Sequence, residues 1–438
     1  MKVKFYTLAL MASVALGATA AELSPIKLAD GIKLQKFDKA TILNKINENG
    51  KKVAKSAATS SVVEGDYNVT YLDYLAAVNS QDVYQFAGEA FFEEKGDDEF
   101  VVTFPFSLSG TELQVEVPVT VSGDKIVFTR GTPVSFLDYQ FEVWTFAAND
   151  ADELDYADKL EVTYNGSGFI MQDMMVAVAS ETDGWVFGAL SPIFQKNNTP
   201  ESDLTVGWKS MGTATLQDGW IMSNFTTGAQ GEPDYLYEVE LQQSETDENV
   251  YRIINPYGVG TPLADYNEYA DRAGFIQFNA ADPDHVYLYP VPANFCNSEM
   301  GIYQLYPTDF MGMFIFAEGA PISTVIAYME QSGYPFATLK DGVLTLPSIN
   351  NGGKWVNSAC FGINELPYAG YGWMDESRNT LNMEAKIIFP EAGVEGIVDN
   401  TNAPVKYFNL QGVEIANPEK GQLVIKKQGT KTEKLIVR

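Results

Sequence analysis

Residues 113–121 read LQVEVPVTV. Leu113, Val115, Val117, Val119 and Val121 alternate with Gln114, Glu116, Pro118 and Thr120. No helix gathers a period of two onto one face; a strand with one buried and one wet face does. The neighbouring segments repeat the pattern. YNVTYLDYL (67–75), VYQFAGEAFFE (83–93), EFVVTFPFSL (99–108) and DKIVFTRG (124–131) are rich in β-branched and aromatic residues. Lys95-Gly96-Asp97, Ser109-Gly110 and Ser122-Gly123-Asp124 punctuate them with turn chemistry. YQFEVWTFAA (139–148), KLEVTYNGSGFIM (159–171) and DMMVAVASETDGWVFGAL (173–190) carry the series on. Short strands at this spacing predict a first domain over residues 63–195, an antiparallel barrel or sandwich.

SPIFQKNNTPESD (191–203) is polar with two prolines and predicts a boundary. A second β domain is expected over 204–390. Its strands are read in WKSMGTATLQDGWIM, YLYEVELQQ, VYRIINPYG, GFIQFNA, HVYLYPV, GMFIFAEG, GVLTLPS and EAKIIFP. IAYMEQSG (326–333) is its one expected helix. EAGVEGIVDNTNA (391–403) reads as a linker, and a strand-patterned tail occupies 404–438. The fold class is therefore all-β, two antiparallel domains plus a small C-terminal β module. At 438 residues and 45% hydrophobic, the chain has material for two real cores.

The start, MKVKFYTLALMASVALGATAAELSP, predicts a signal peptide over residues 1–20. Lys2 and Lys4 precede a short apolar run, and Ala18-Thr19-Ala20 supplies the small residues of a cleavage point. No later run reaches the roughly 20 apolar residues of a membrane-spanning helix, so none is expected in the mature chain. The expected location is outside the cell or on its surface, with the periplasm as the alternative. Residues 21–62 are lysine-rich, with a short helix expected around Ile42, Leu43 and Ile46, a tether after Lys55, and weak order throughout.

Charge divides the chain. Residues 21–62 and 404–438 each carry a net +4, while 63–403 hold 12 basic and 51 acidic side chains, a net -39. So acidic a body repels nucleic acid and anionic membranes, and no nucleic-acid partner is expected; a cation-binding surface is the functional alternative to a solvated one. A solvated, soluble surface accounts for it.

The tail carries a familiar pattern. VKYFNLQGVEI gives strand, turn and strand; GQLVIKKQG and KTEKLIVR give two more strands. This resembles the short C-terminal sorting domain of type IX secretion in Bacteroidetes. Tyr407, Asn409, Leu410 and Gly412 match its hairpin, Gly421 its following turn, and Lys434 to Arg438 its closing basic strand. The resemblance implies a delivery signal, cleaved or linked to the surface, with the secretion machinery as partner. The first domain loosely resembles calycin-like barrels of secreted Bacteroidetes proteins. The second resembles a recurring unit of the same group, on GTATLQDGWI, YEVELQQSETDENVYRIINPYG and GFIQFNAADPDHVYLYP. Neither resemblance implies a catalytic residue.

The sequence argues against most catalytic machinery. His285 is the single histidine, so a multi-histidine zinc site has too few ligands, and a serine triad would have to be built on this one residue. Its place after Asp282-Pro283-Asp284 reads as a loop edge. Cys296 and Cys360 lie in no CxxC; in an exported chain they either pair or stand as separate buried thiols. Glycine-rich phosphate cradles are missing, and no cofactor is implied. NDADELD (149–155) spaces Asp150, Asp152 and Asp155 but lacks the glycine and closing Glu of an EF-hand loop, so a solvated acidic loop is the plainer reading. Two carboxylates flanking a glycosidic bond stay conceivable among so many acids.

Aromatics offer one candidate site. LPYAGYGWMDE (366–376) sets Tyr368, Tyr371 and Trp373 among glycines, as in a loop. Such rings either stack on a sugar or cover the open end of a barrel. The leading expectation is a non-catalytic surface or secreted protein that binds a glycan or another small ligand, with surface proteins as further partners. A structural or adhesive component is the alternative, and a carboxylate-based glycoside hydrolase the second alternative.

Overall fold

The computed structural model describes residues 23–30, 32, 63–74, 84–108, 111–137, 139–180, 184–217, 236–261, 264–294, 306–351, 354–357, 361–363, 366–371 and 385–390, and in the tail 406–408, 414–415, 418, 420–428 and 431–436. The chain divides into two units, residues 1–389 and 390–438. Both are built mainly from antiparallel sheet.

The first sheet contains β1 (Lys27–Leu28), β2 (Gly65–Asp73), β3 (Tyr84–Gly96), β4 (Glu99–Leu108), β5 (Thr111–Ser122), β6 (Lys125–Thr129), β7 (Pro133–Phe136), β8 (Tyr139–Ala148), β9 (Glu153–Tyr156), β10 (Lys159–Thr163), β11 (Gly168–Ile170), β12 (Met174–Ser180) and β13 (Gly184–Lys196). Its order is β1-β9-β8-β12-β13-β2-β3-β4-β5-β6-β10, with β11 on β13 and β7 on β8. The sheet curls back on itself. β6 pairs with β5, and its continuation β7 pairs with β8. At the corner between them Gly131 N donates to Val143 O (2.8 Å) and Val143 N to Thr132 O (2.9 Å).

The five apolar positions of β5 all face the interior and are buried. The inside is filled by rings. Phe104 stacks on Phe106 at 4.3 Å, Phe106 on Phe187 at 5.5 Å, and Phe169 on Phe194 at 4.3 Å. Buried tyrosines survive there because their hydroxyls find main-chain acceptors: Tyr67 on Val63 O (2.6 Å), Tyr71 on Pro105 O (2.9 Å) and Tyr164 on Gly166 O (2.5 Å).

The second sheet contains β14 (Trp208–Gln217), β15 (Leu236–Ser244), β16 (Val250–Ile254), β17 (Phe275–Asn279), β18 (Tyr287–Tyr289), β19 (Thr338–Lys340) and β20 (Val343–Leu346). Two hairpins follow, β21 (Ser348–Asn351) with β22 (Lys354–Asn357), and β23 (Phe361–Ile363) with β24 (Leu366–Tyr371); β25 (Ala385–Ile388) then returns to the sheet. The order β18-β17-β16-β15-β14-β25-β20-β19 is a meander closed by a late strand. Its ends meet: Val286 bridges Ala337, and Leu339 N donates to Pro283 O at 2.8 Å.

Helices differ from expectation. GMFIFAEG, expected as a strand, lies in α1 (Phe310–Glu318), and IAYMEQSG belongs to a longer α2 (Ile322–Ser332). Residues 310–316 of α1 are all buried. A helix that is apolar all round leaves no 3.6-residue period to read. Asp309 caps it. Its Oδ1 accepts from Gly312 N and from Leu288 N of β18, each at 2.9 Å. Gly312 is required by this approach, since a Cβ there would lie 2.3 Å from Leu288 O.

The weak order expected from residue 21 onward does not hold for 23–30 and 32. β1 pairs in parallel with β9, Ile26 N donates to Gly319 O at 2.8 Å, and Tyr74 Oη donates to Ile26 O at 2.8 Å. Ile26 is buried, and Leu28 and Ile32 pack with it on Trp144, Phe146 and Met175. The segment alternates apolar and charged residues tightly enough to serve as one more edge strand. The expected helix around Ile42, the tether and the leader lie outside the described residues. Among the described residues no helix is long and apolar enough to cross a membrane.

In the tail, β26 (Lys406–Phe408), β27 (Glu414–Ile415), β28 (Leu423–Gln428) and β29 (Lys431–Ile436) form a sheet of order β27-β26-β28-β29. Val424 is buried and Gly421 turns at φ 87°.

Asp309→Ala removes the acceptor for two buried N–H groups. Each costs about 1–3 kcal/mol when left bare, so the substitution is expected to lower unfolding free energy by about 2–4 kcal/mol in urea titrations, whereas Asp309→Asn retains an acceptor and is expected to lose much less.

Candidate functional site

Tyr368 and Tyr371, expected in a loop, belong to β24. Tyr371 pairs with Phe361, and Leu366 with Ile363 across an irregularity in register. Tyrosine favours strands strongly enough to carry Ala369 and Gly370 with it. β24 runs beside β3 of the first sheet. Trp373, Cys296, Cys360, Asn409, Leu410 and Gly412 lie outside the described residues. Tyr407 is on β26, where it pairs with Ile415 and Lys426, and Gly421 stands in the turn before β28.

The start of β3 opens on a small cavity. Thr70, Gln85 and Ser191 supply its polar lining; Ile193, Pro290 and Phe316 are among its apolar walls. Gln85 Nε2 donates to Phe316 O at 2.9 Å and ties β3 to α1. The volume, about 10 Å³, suits a single water and not a sugar.

The surrounding seam between the two sheets holds polar groups that belong to no motif. Arg252 in β16 is fully buried. Its Nε donates to Gln242 Oε1 (2.8 Å), one terminal nitrogen to Ser167 Oγ (2.5 Å) and the other to Leu204 O (2.6 Å). The guanidinium lies 4.0 Å from the ring centre of Trp208 and 4.4 Å from that of Phe275. Trp208 Nε1 in turn donates to Asn165 O at 3.1 Å. Burial pushes the Arg252 pKa well below its ordinary value, with Glu240 and Tyr164 opposing. An arginine inside VYRII was the one polar interruption of an apolar strand, and that interruption was the available signal.

A second polar group gathers on the same seam. Tyr287 Oη donates to Gln172 Oε1 at 3.1 Å, and Asn279 Nδ2 donates to Tyr289 Oη at 3.1 Å. Asp173, next to Gln172, is pushed up to about 6 by burial and then by the charge of Asp152. In the acidic loop, Asn149 Oδ1 accepts from Ala151 N and Glu153 N, and Asp152 Oδ2 accepts from Ser323 Oγ of α2 at 3.0 Å. Asp150, Asp152 and Asp155 do not converge, and among the described residues no three His, Cys, Asp or Glu side chains gather as a metal would need.

His285 sits at a strand start as a turn residue. Its Nδ1 meets Asp282 Oδ2 at 2.7 Å and its ring meets the edge of Phe336 at 4.4 Å. The contact holds the Asp282 carboxyl below its ordinary value.

No protein-family model, curated protein or solved structure matches the chain. The site's chemistry has to be read from its own residues.

Arg252→Lys keeps the charge but cannot reach three acceptors in a fixed fork. It is expected to cost about 2–4 kcal/mol of unfolding free energy, measured by urea denaturation, because Ser167, Gln242 and Leu204 are left short of donors in a dry place.

Proposed function

We propose that this is an exported, non-catalytic binding protein that offers an outer surface to a glycan or another ligand with a flat apolar face. One observation carries the reading: β24, with Tyr368 and Tyr371, is laid beside β3 on a sheet whose interior is already filled with phenylalanine rings. A packed interior leaves the outside of the scaffold for recognition, and aromatic residues on a fixed strand suit a sugar face. The leader pattern of residues 1–20 supports export. The basic strand-built tail, with Tyr407 and Gly421 placed on a hairpin strand and a turn, supports delivery to the surface by a machinery of the type IX kind. The same filled interior favours a second reading, a structural or adhesive surface component.

Soluble glycans titrated against the full chain in a thermal-shift assay separate the two. A binder raises the midpoint by mass action, about 2.7 kcal/mol at a hundredfold excess over Kd. Trp373→Ala or Tyr371→Ala is expected to weaken that binding about tenfold while leaving the unliganded midpoint in place. Glycan binding untouched by either substitution refutes the site. A full panel without a shift leaves the structural reading.

A further inference from the structure

We propose that the seam between the two β sheets of residues 1–389 is an acid-tightened junction, with Asp173 as its sensing group. The geometry comes first. Asp173 occupies the turn between β11 and β12, on the side of the first sheet that meets β18 and α2. Its neighbour Gln172 accepts from Tyr287 Oη of β18 at 3.1 Å, and at the rim Asp152 Oδ2 accepts from Ser323 Oγ of α2 at 3.0 Å. Three residues here hold left-handed backbone without being glycine: Asp152 (φ 54°), Asp173 (φ 57°) and Ser191 (φ 48°). Asp173 N donates to Ser191 Oγ at 3.1 Å, and Asp173 O accepts from Ala148 N at 2.9 Å. Such strain persists only where the surroundings over-determine it.

The groups that act on Asp173 are Asp152 from the β8–β9 loop and Tyr287 and Tyr289 from β18. None of them is a cation. Among the described residues, ionising Asp173 in the closed seam therefore meets desolvation and the like charge of Asp152. Glu318, at the end of α1 and one residue before the Gly319 that packs on Leu72 and Leu190, is also held up by burial; Tyr328 is the titratable group coupled to it.

The sign follows by linkage. A carboxyl raised in the closed state contributes stability that is fully present below its ordinary pKa and is lost as pH rises through about 6. Opening the seam returns Asp173 to water and to its ordinary value. Between pH 7.5 and pH 5 the opening equilibrium should fall about tenfold.

Hydrogen exchange on the full chain reads this directly, corrected for the intrinsic rate at each pH. Amides of α2 and of the Gln172–Met174 turn are expected to gain about tenfold in protection between pH 7.5 and pH 5. In Asp173→Asn that gain should largely vanish, with protection at pH 7.5 at or above the wild-type level; asparagine suits a left-handed position, so the turn is kept. Asp152→Asn, which removes the like charge and not the burial, should give a smaller gain than wild type and serves if Asp173→Asn folds poorly. Wild-type protection that is flat with pH, or an undiminished gain in both Asp173→Asn and Asp152→Asn, overturns the proposal.

Discussion

Arg252 brings a guanidinium into a place without water, and the two sheets are organised around satisfying it. Its three hydrogen-bonded acceptors come from different parts of the chain: Gln242 from the adjacent strand β15, Ser167 from the loop before β11, and the Leu204 carbonyl from the segment that joins the sheets. Trp208 and Phe275 cover its faces. A buried charge without such company would cost several kcal/mol. Here Gln242 also passes the field outward, since its Nε2 donates to Glu240 Oε1 at 3.2 Å, on an exposed residue. The arrangement is specific in a way that apolar packing is not. A slip of β16 by one residue would turn Arg252 to the other face and strand all three acceptors.

The rest of the seam follows from that registration. Once Trp208 and Phe275 are fixed over Arg252, the outer face of the second sheet presents Ile254, Tyr287 and Tyr289 toward Ile193 of the first, and α1 closes the cluster with Phe314 and Phe316. Gly312 lets the α1 backbone approach the Leu288 carbonyl, and Asp309 satisfies the strand and the helix with one oxygen. Residues 23–28 then complete the edge, with Ile26 bonded to Gly319 O on one side and to Tyr74 Oη on the other. A lysine-rich segment from which weak order is expected is thus, over its first residues, part of the packed body.

What the sequence made legible was the period-two alternation. The buried row Leu113 to Val121 and the short strands around it led to two curled antiparallel sheets and a small third one in the tail. Illegible were the places where burial is uniform. Residues 310–316 are apolar on every side, so strand and helix patterns coincide, and only the Asp309 cap and the left-handed Gly319 mark the helix. Tyr368 and Tyr371 read as loop residues because of Gly370 and Gly372, yet the pairing of Tyr371 with Phe361 and of Leu366 with Ile363 makes a strand. The seam was invisible for a different reason. Ser167, Gln172, Asp173, Gln242 and Arg252 are scattered over 85 positions of chain, and nothing local to any of them announces the others.

Charge supplies the last constraint. The body carries 51 acidic side chains, and among the described ones only Asp73 and Asp309 are buried. The few drawn inward behave differently. Asp309 is tolerated because backbone N–H groups meet it; at Asp173 the main-chain N donates to Ser191 Oγ, while burial and the like charge of Asp152 raise the carboxyl. Filling that position with asparagine would be simpler for packing alone, since the left-handed turn suits it equally well. An aspartate there makes the fit between the two sheets depend on a proton.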